Sequence, residues 1–212
     1  MKSSELKYPD GDKSQSFRHG LDWDKDQFAI CLKKLKSFRN CLDLGGHIGI
    51  TTIRFSQYFE HVYAFEPVHS KYFKHNTKHL KNVTLYEYAV SDYNGEVDMF
   101  INVNNSGGCA VVHEGIIDYL YEKNFVVPTT KFPCVKIDNY NFKDIDFIKM
   151  DIEGYNIPAL NGMEKLLENN NPVMHIEIGG GDEYSNRFYK LMDKLGYREY
   201  AQHGKIDRFF CR

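Results

Sequence analysis

The stretch CLDLGGHIG, from Cys41 to Gly49, constrains the fold of this chain more than any other. A short apolar run ends at Asp43, two glycines interrupt it, and Gly49 opens a segment whose apolar residues have helical spacing. This order is typical of a strand, a glycine turn and a helix, the first unit of a nucleotide-binding α/β sheet. The dinucleotide fingerprint would require glycine in place of His47 and Ile50, so the loop is not of that type.

The charge beside the loop indicates which nucleotide ligand suits it. A diphosphate binds to bare backbone N–H groups at a helix N-terminus, and the carboxylate of Asp43 would repel it. S-adenosylmethionine (SAM) has no phosphate but carries an ammonium and a sulfonium, so the D-x-G-x-x-x-G pattern favours SAM over NAD. A tight turn that binds no ligand is the alternative. The predicted cofactor contacts in the loop are Asp43, Gly45, Gly46, His47 and Gly49.

Length and composition indicate one globular α/β domain over residues 1–212, since 42% of the residues are apolar and 26% are charged. The net charge of −2 gives no basic field for nucleic acid. The five cysteines form no C-x-x-C pair, so neither a zinc site nor a disulfide framework is predicted. No segment resembles a signal peptide or a membrane span. We therefore expect a cytoplasmic protein that binds neither membranes nor nucleic acid.

The spacing of apolar residues predicts a Rossmann-like, doubly wound sheet of seven strands, mostly parallel, with a C-terminal antiparallel pair. After the strand that ends at Asp43, further strands are predicted over residues 61–67, 82–90, 96–103, 146–150, 172–178, 198–202 and 206–211. Helices are predicted over residues 28–38, 50–59, 69–80, 113–124, 156–167 and 188–195.

Two further strand ends are expected at the same edge of the sheet. HVYAFEP ends in Glu66, one helix and one strand after Asp43, so Glu66 is expected at the carboxyl end of the neighbouring strand. An acidic side chain there can accept both ribose hydroxyls of an adenosine, although a solvated carboxylate is the alternative. The next strand ends at Val90 and Ser91, which we expect to frame the adenine.

Two segments lie outside the repeating pattern. Residues 104–133 form an insertion that we expect to face the substrate, because insertions over the carboxyl edge of a sheet usually select the substrate. Asn105, Ser106 and His113 are the predicted acceptor contacts there, and a surface excursion without a role is the alternative. Residues 1–40 form an N-terminal arm and helix, whose polar first half is either a lid or a frayed terminus.

Several blocks of the sequence resemble the FkbM family of SAM-dependent methyltransferases. In chain order they are DLGGHIG (43–49), AFEP (64–67), AVSD (89–92), NG (94–95), VKIDNY (135–140), IKMDIEG (148–154) and HIEI (175–178). The most specific is IKMDIEG, which matches the K-x-D-x-E-G block of the family. Residues 1–35 and 104–130 match poorly, and His47 stands where the family more often has asparagine.

The resemblance implies methylation of hydroxyl groups, often on sugars or natural-product scaffolds, with S-adenosylhomocysteine (SAH) as the second product. The leading prediction is an O-methyltransferase that acts on a sugar hydroxyl of a glycan or a glycosylated small molecule. An RNA ribose 2′-O-methyltransferase is a second hypothesis, which the acidic balance disfavours. A SAM-binding protein without catalysis is a third, and the charge of Asp43 disfavours NAD-dependent reduction.

A sugar hydroxyl needs a general base to become a good nucleophile. The strand that ends at Asp151 is expected beside the one that ends at Asp43, so Asp151 is predicted as the base or as the electrostatic partner of the reacting centre. Lys149 orients Asp151, stabilises a developing alkoxide or forms a structural ion pair. Glu153 binds acceptor hydroxyls or hydrogen-bonds the backbone of its own loop. His175 is either a core residue or an alternative base.

Alternation along the last buried strand places Glu177 on the same side as His175. Asp151, Glu153 and Glu177 can therefore converge, and Mg²⁺ prefers such oxygen ligands. We keep Mg²⁺ as an alternative, and the leading prediction includes no metal.

Overall fold

The computed structural model describes residues 3–13, 19–113, 129–179 and 181–212, which form both strands and helices. The strands are β1 (Asn40–Leu44), β2 (His61–Phe65), β3 (Val83–Tyr86), β4 (Ala89–Val90), β5 (Gly95–Phe100), β6 (Ala110–Val111), β7 (Thr129–Val135), β8 (Ile145–Met150), β9 (Val173–Glu177), β10 (Arg198–His203) and β11 (Asp207–Cys211). The α-helices are α1 (Lys25–Leu32), α2 (Ile50–Phe55), α3 (Ser70–Thr77), α4 (Asn156–Asn161), α5 (Glu164–Asn170) and α6 (Asp182–Lys194). Within the described ranges, no helix is both long and apolar enough to cross a bilayer.

The main sheet contains seven strands in the order β10-β11-β9-β8-β1-β2-β3. The pairs from β9 to β3 are parallel, and β11 is antiparallel to both of its neighbours. The predicted α/β class with a mixed sheet of seven strands is confirmed. Because β1, β2, β8 and β9 run in the same direction, their carboxyl ends meet at one edge of the sheet.

Apolar side chains cover both faces of this sheet. Leu42 and Leu44 of β1 join one apolar cluster with residues of α4, α5 and α6. Cys41 of β1 and Phe147 of β8 join a second cluster with residues of α1 and α2. Successive residues of a strand point to opposite faces, so helices on both sides are needed to bury these strands.

A second sheet, in the order β4-β7-β5-β6, contains part of the predicted insertion. The single strand predicted over residues 82–90 is wrong as one element, because β3 and β4 belong to different sheets. β3 pairs with β2, whereas Ala89 and Val90 pair with β7. Glu87 and the partly exposed Tyr88 lie between the two strands. Residues that favour strands therefore continue through this stretch although its pairing partner changes from β2 to β7.

The helices α1, α2 and α3 are each shorter than the apolar spacing predicts. Leu35 and Phe38, beyond the end of α1, and Phe59, beyond the end of α2, still pack against the cluster on that face of the sheet. At these positions the apolar spacing correctly indicates burial, but the backbone is not α-helical. Apart from His113, the helix predicted over residues 113–124 lies outside the described residues.

We predict that Phe147→Ala lowers the free energy of unfolding by about 3–5 kcal/mol, the usual cost of removing a buried phenylalanine ring. Phe147 is fully buried, and its ring centroid lies 5.3 to 5.9 Å from those of Phe28, Phe55 and Phe59. Urea unfolding measures the loss. Val103→Ala, at a side chain that is 70% exposed, is the control and should change stability by less than about 0.5 kcal/mol. Equal losses in the two variants would contradict this view of the core.

Candidate functional site

A cavity of about 300 Å³ opens at the edge of the main sheet. Its lining includes the residues at four strand ends: Gly45 after β1, Glu66 after β2, Asp151 after β8, and Glu177, the last residue of β9. Further lining residues come from the N-terminal segment (Trp23), β4 (Val90), the insertion (Asn105 and Ser106), β8 (Lys149) and the segment after β8 (Glu153 and Tyr155). Cavities of this size at the carboxyl edge of a parallel sheet are typical small-molecule sites.

The glycine loop after β1 packs against the end of β8. Gly45 has a φ of 83°, and a Cβ atom on it would lie 1.8 Å from the carbonyl oxygen of Asp151. The backbone N–H groups of Gly45 and Gly46 donate to the carbonyl oxygen of Phe65, at 3.0 and 3.1 Å. Gly49, with a φ of 92°, precedes α2. A side chain at Gly45 would separate the loop from β8, so this glycine sets the shape of the cavity.

Glu66 holds the glycine loop from the end of β2. Its carboxylate accepts hydrogen bonds from the backbone N–H groups of His47, Val68 and His69, at 2.9, 2.7 and 2.7 Å. Burial raises the pKa of Glu66 to about 7, although the three N–H donors act in the opposite direction. The predicted position of Glu66 beside the loop is therefore observed, and its carboxylate also faces the cavity.

Asp43 lies beneath the loop and is not among the residues that line the cavity. It is fully buried, and its Oδ2 accepts hydrogen bonds from the hydroxyls of Thr51 and Thr52 in α2. The strand register places it beside Lys149 of β8. Its Oδ1 has no hydrogen-bond partner among the described residues, which is rare for a buried carboxylate oxygen. Asp43 therefore contributes negative charge from behind the loop.

Ser106, in the insertion, joins three segments at the cavity. Its N–H donates to Asp12 Oδ1 at 3.0 Å, its carbonyl oxygen accepts a hydrogen bond from His69 Nε2 at 3.0 Å, and its hydroxyl lies 2.7 Å from His47 Nε2. Burial lowers the pKa of His47 to about 3 and also lowers that of His69, so both imidazoles are neutral near pH 7. We call residues 3–13 of the arm and 104–108 of the insertion the cover.

Lys149 and Asp151 form an ion pair in the wall of the cavity. The Nζ of Lys149 lies 3.0 Å from Asp151 Oδ2, and Lys149 is only 2% exposed. Burial alone would lower the pKa of Lys149, but Asp151, Asp43 and Asp24 together hold it above its ordinary value. Lys149 is therefore a buried cation that orients Asp151, whose side chain is 21% exposed and open to a ligand.

Glu153 and Glu177 lie close to Asp151 in the lining of the cavity. The three residues can each offer a carboxylate oxygen within 4.8 Å of the others. Burial and repulsion from Asp151 raise the pKa of Glu153 to about 8. Repulsion from Asp151 and burial raise the pKa of Glu177 to about 9. This group can accept hydrogen bonds from several ligand hydroxyls, share protons or hold a cation, and Mg²⁺ at this position stays an untested alternative.

Four of the predicted catalytic and cofactor residues do not line the cavity: Asp43, Gly49, Ser91 and His175. His175 is only 3% exposed, its Nε2 lies 2.6 Å from Asp207 Oδ1, and its ring stacks on Phe209. Ser91 is fully buried and does not line the cavity, whereas its neighbour Val90 does. The structure thus places His175 as a hydrogen-bonded core residue, and Asp151 is the base candidate that reaches the cavity.

The insertion candidates are divided between two positions. Asn105 and Ser106 line the cavity, and His113 lies beside Gly154 at the end of the IKMDIEG block. The sequence interpretation missed Trp23 and Tyr155, which also line the cavity. Trp23 is the only tryptophan of the chain, and Tyr155 directly follows the IKMDIEG block. Both facts are visible in the sequence and could have marked these residues as site candidates.

Comparison with known proteins identifies a family. The profile described as "Methyltransferase FkbM domain" matches residues 43–199, which is more than half of the chain. No curated protein matches the sequence.

Solved structures share the fold at low sequence identity. Methyltransferase FkbM from Methylobacillus flagellatus KT superposes with a TM-score of 0.55 at 18% identity, over 83% of this chain and 44% of that one. This chain therefore spans less than half the length of the Methylobacillus protein. Fibrillarin from Aeropyrum pernix, with natively bound SAM, gives 0.51 at 12% identity over 87% and 73% of the two chains. An rRNA methylase from Streptococcus thermophilus gives 0.51 at 12% identity over 88% and 92%.

We predict that the unligated protein loses stability as the pH rises from about 7 to about 9, because Glu153 and Glu177 keep protons in the folded state that the unfolded chain has already lost. Their ordinary pKa is 4.5, so above that value the folded state binds more protons and the free energy of unfolding falls as pH rises. The buried histidines act in the opposite direction, but only below their ordinary pKa of 6.5.

Urea unfolding between pH 7 and 9 measures this slope. A Glu153→Gln/Glu177→Gln double variant should show a flatter dependence, since it lacks both titrating groups. An unchanged slope in the double variant would contradict the assignment.

Proposed function

Because the chain belongs to the FkbM methyltransferase family, we propose that it is a SAM-dependent O-methyltransferase that acts on a sugar hydroxyl of a glycan or a glycosylated small molecule. The observation that carries the proposal is Asp151, a carboxylate oriented by the buried Lys149 in a cavity beside the glycine loop. A base in that position can take the proton of an acceptor hydroxyl.

The charges around the loop fit SAM better than a phosphate-bearing cofactor. Glu66 and Asp151 line the cavity, and Asp43 lies behind the loop with an Oδ1 that has no partner among the described residues. These carboxylates suit a ligand that carries a sulfonium and an ammonium, and they would repel a diphosphate. Glu66 keeps capacity for ribose hydroxyls, because each carboxylate oxygen accepts more than one hydrogen bond. Val90 offers an apolar wall for the adenine. The SAM that fibrillarin of the same fold carries supports this choice.

Methyl transfer divides the work among residues of this chain. When bound, SAM supplies a methyl group whose bond to the sulfonium breaks as a bond to the acceptor oxygen forms. Asp151 accepts the proton that leaves the acceptor hydroxyl, and Lys149 keeps the carboxylate in position. The Gly45–Gly46 turn and Glu66 hold the cofactor side of the cavity. Positioning of both reactants contributes roughly 7–11 kcal/mol in such reactions.

The acidic group at the cavity supports a neutral, hydroxyl-rich acceptor. Asp151, Glu153 and Glu177 can accept hydrogen bonds from several hydroxyls of one sugar. Trp23 and Tyr155 provide aromatic surface for the body of the acceptor. Asp151, together with the buried Asp43 and Asp24, would disfavour the phosphates of RNA at this wall, so the RNA ribose hypothesis has no support from these charges.

The acceptor class is tested by incubating the protein with isotope-labelled SAM and a panel of hexosides, deoxysugar glycosides and short RNAs. We expect mass spectrometry to find a gain of one methyl group on a glycoside oxygen. Methylation of RNA alone, or binding of SAM without transfer to any member of the panel, would contradict the proposed acceptor.

We predict that Asp151→Asn lowers the rate of methyl transfer by about 10²- to 10⁴-fold, the usual contribution of a general base. Single-turnover measurements with saturating SAM and a responsive glycoside separate this effect from binding. Asp193→Asn is the matched control, because the Asp193 side chain is 70% exposed and pairs with Arg198 on the surface. Full activity of the Asp151 variant would remove the proposed base.

We predict that Glu66→Gln weakens SAM and SAH to the same extent, by about 10-fold or more, as expected for loss of hydrogen bonds to a charged group. The two ligands have the same ribose, so a ribose contact cannot distinguish them. Calorimetry measures both affinities. A change confined to SAM would indicate that Glu66 acts through charge at the sulfonium instead.

A further inference from the structure

We propose that Asp24, at the start of α1, is a positioning residue of the site that offsets the charge of Lys149 and so lets this wall of the cavity accept a cationic ligand. The inference rests on the proposed function, because the cationic ligand is SAM. Asp24 precedes the family-matched range of residues 43–199. It therefore adds a residue from the N-terminal segment to a site built mainly from strand ends.

The surroundings of Lys149 motivate this inference. Lys149 lines the cavity, and an isolated ammonium there would repel a sulfonium. Its Nζ lies 3.0 Å from Asp151 Oδ2 and 4.0 Å from Asp24 Oδ2, and Asp43 occupies the adjacent position of β1. On its other side, the strand register pairs it with His175. Three carboxylates thus surround one buried cation, and the charge of the wall is negative.

Asp24 itself is held in an uncommon conformation. It precedes α1 with a φ of 59°, in the left-handed region that residues other than glycine rarely adopt. Aspartate at this position usually caps the helix with its side chain, but Asp24 makes no such cap in the described structure. Its side chain is 8% exposed and points toward Lys149. The aspartate therefore contacts a residue of the site instead of capping the helix.

The contact also explains how the site tolerates a buried lysine. If Asp151 were the only carboxylate near Lys149, the two charges would cancel and the pair would present no net charge to a ligand. With Asp24 and Asp43 sharing the ammonium, Asp151 adds negative charge that a ligand can meet. The expected signature is selectivity by charge, because SAM and SAH differ by one methyl group and one positive charge.

The test compares the affinities of SAM and SAH for Asp24→Asn by calorimetry. Asparagine has the same shape and tolerates the left-handed backbone, so the fold should persist. We expect the affinity for SAM to fall by about 10-fold, the order of effect of one charge in a partly buried site, while that for SAH changes by less than about 2-fold. Asp22→Asn, at an exposed neighbour paired with Lys25, is the matched control and should leave both affinities unchanged.

A double variant, Asp24→Asn with Lys149→Met, removes one charge of each sign and should return the ratio of the two affinities toward that of the wild type. Equal weakening of SAM and SAH in Asp24→Asn would show a purely structural role and overturn the proposal, as would an unchanged ratio. The wild-type affinity for SAM tests the proposed function separately, and a wild-type chain that binds neither ligand would overturn both.

Discussion

The close approach of the glycine loop to the end of β8 is the constraint on which the site depends. Because Gly45 has no side chain, the loop lies against the carbonyl oxygen of Asp151, where a Cβ atom would have no room. This contact joins the segment suited to a nucleotide with the segment that carries Asp151, the proposed base. Glu66 fixes the same loop from the other side through three backbone N–H groups. The loop is thus held between two strand ends, beside the proposed base.

Charge is distributed unevenly around this loop. Lys149 is the single buried lysine among the described residues, and several buried or half-buried carboxylates face it. Burial and repulsion from Asp151 raise the pKa of Glu153, and repulsion from Asp151 and burial raise the pKa of Glu177. Both carboxyl groups are therefore mostly protonated near neutral pH, which limits the cost of placing them together. Such an arrangement is unfavourable for an anion and well suited to a ligand that brings positive charge and hydroxyl groups.

The strand ends were predictable from the sequence because their signal is local. An apolar run that stops at Asp43, Glu66 or Asp151 marks a strand, and parallel strands must end at the same edge of the sheet. The glycines of the loop likewise predicted the turn after β1 from a local pattern. The family blocks added the identity of the loop, since geometry alone does not distinguish a binding turn from an empty one.

Other features depend on distant partners that no local pattern reveals. His175 has the predicted strand position, but its partner Asp207 comes from β11, which inserts between β9 and β10. The division of residues 82–90 between two sheets depends on pairing with β7, in which Cys134 lies 45 residues after its partner Ala89. Asp24 resembles an ordinary helix cap until the fold brings Lys149 beside it. Long-range pairing therefore limits what such patterns can predict.

The hydrogen bonds of Ser106 affect how a ligand can enter or leave the cavity. Its N–H, carbonyl oxygen and hydroxyl are all engaged, with Asp12, His69 and His47. The arm, the insertion and the glycine loop therefore meet at Ser106. Withdrawal of any one of them alone would leave a buried polar group without its hydrogen-bond partner, at a free-energy cost of about 1–3 kcal/mol. Passage of a molecule on that side therefore requires the contacts of the cover with His47 and His69 to be broken.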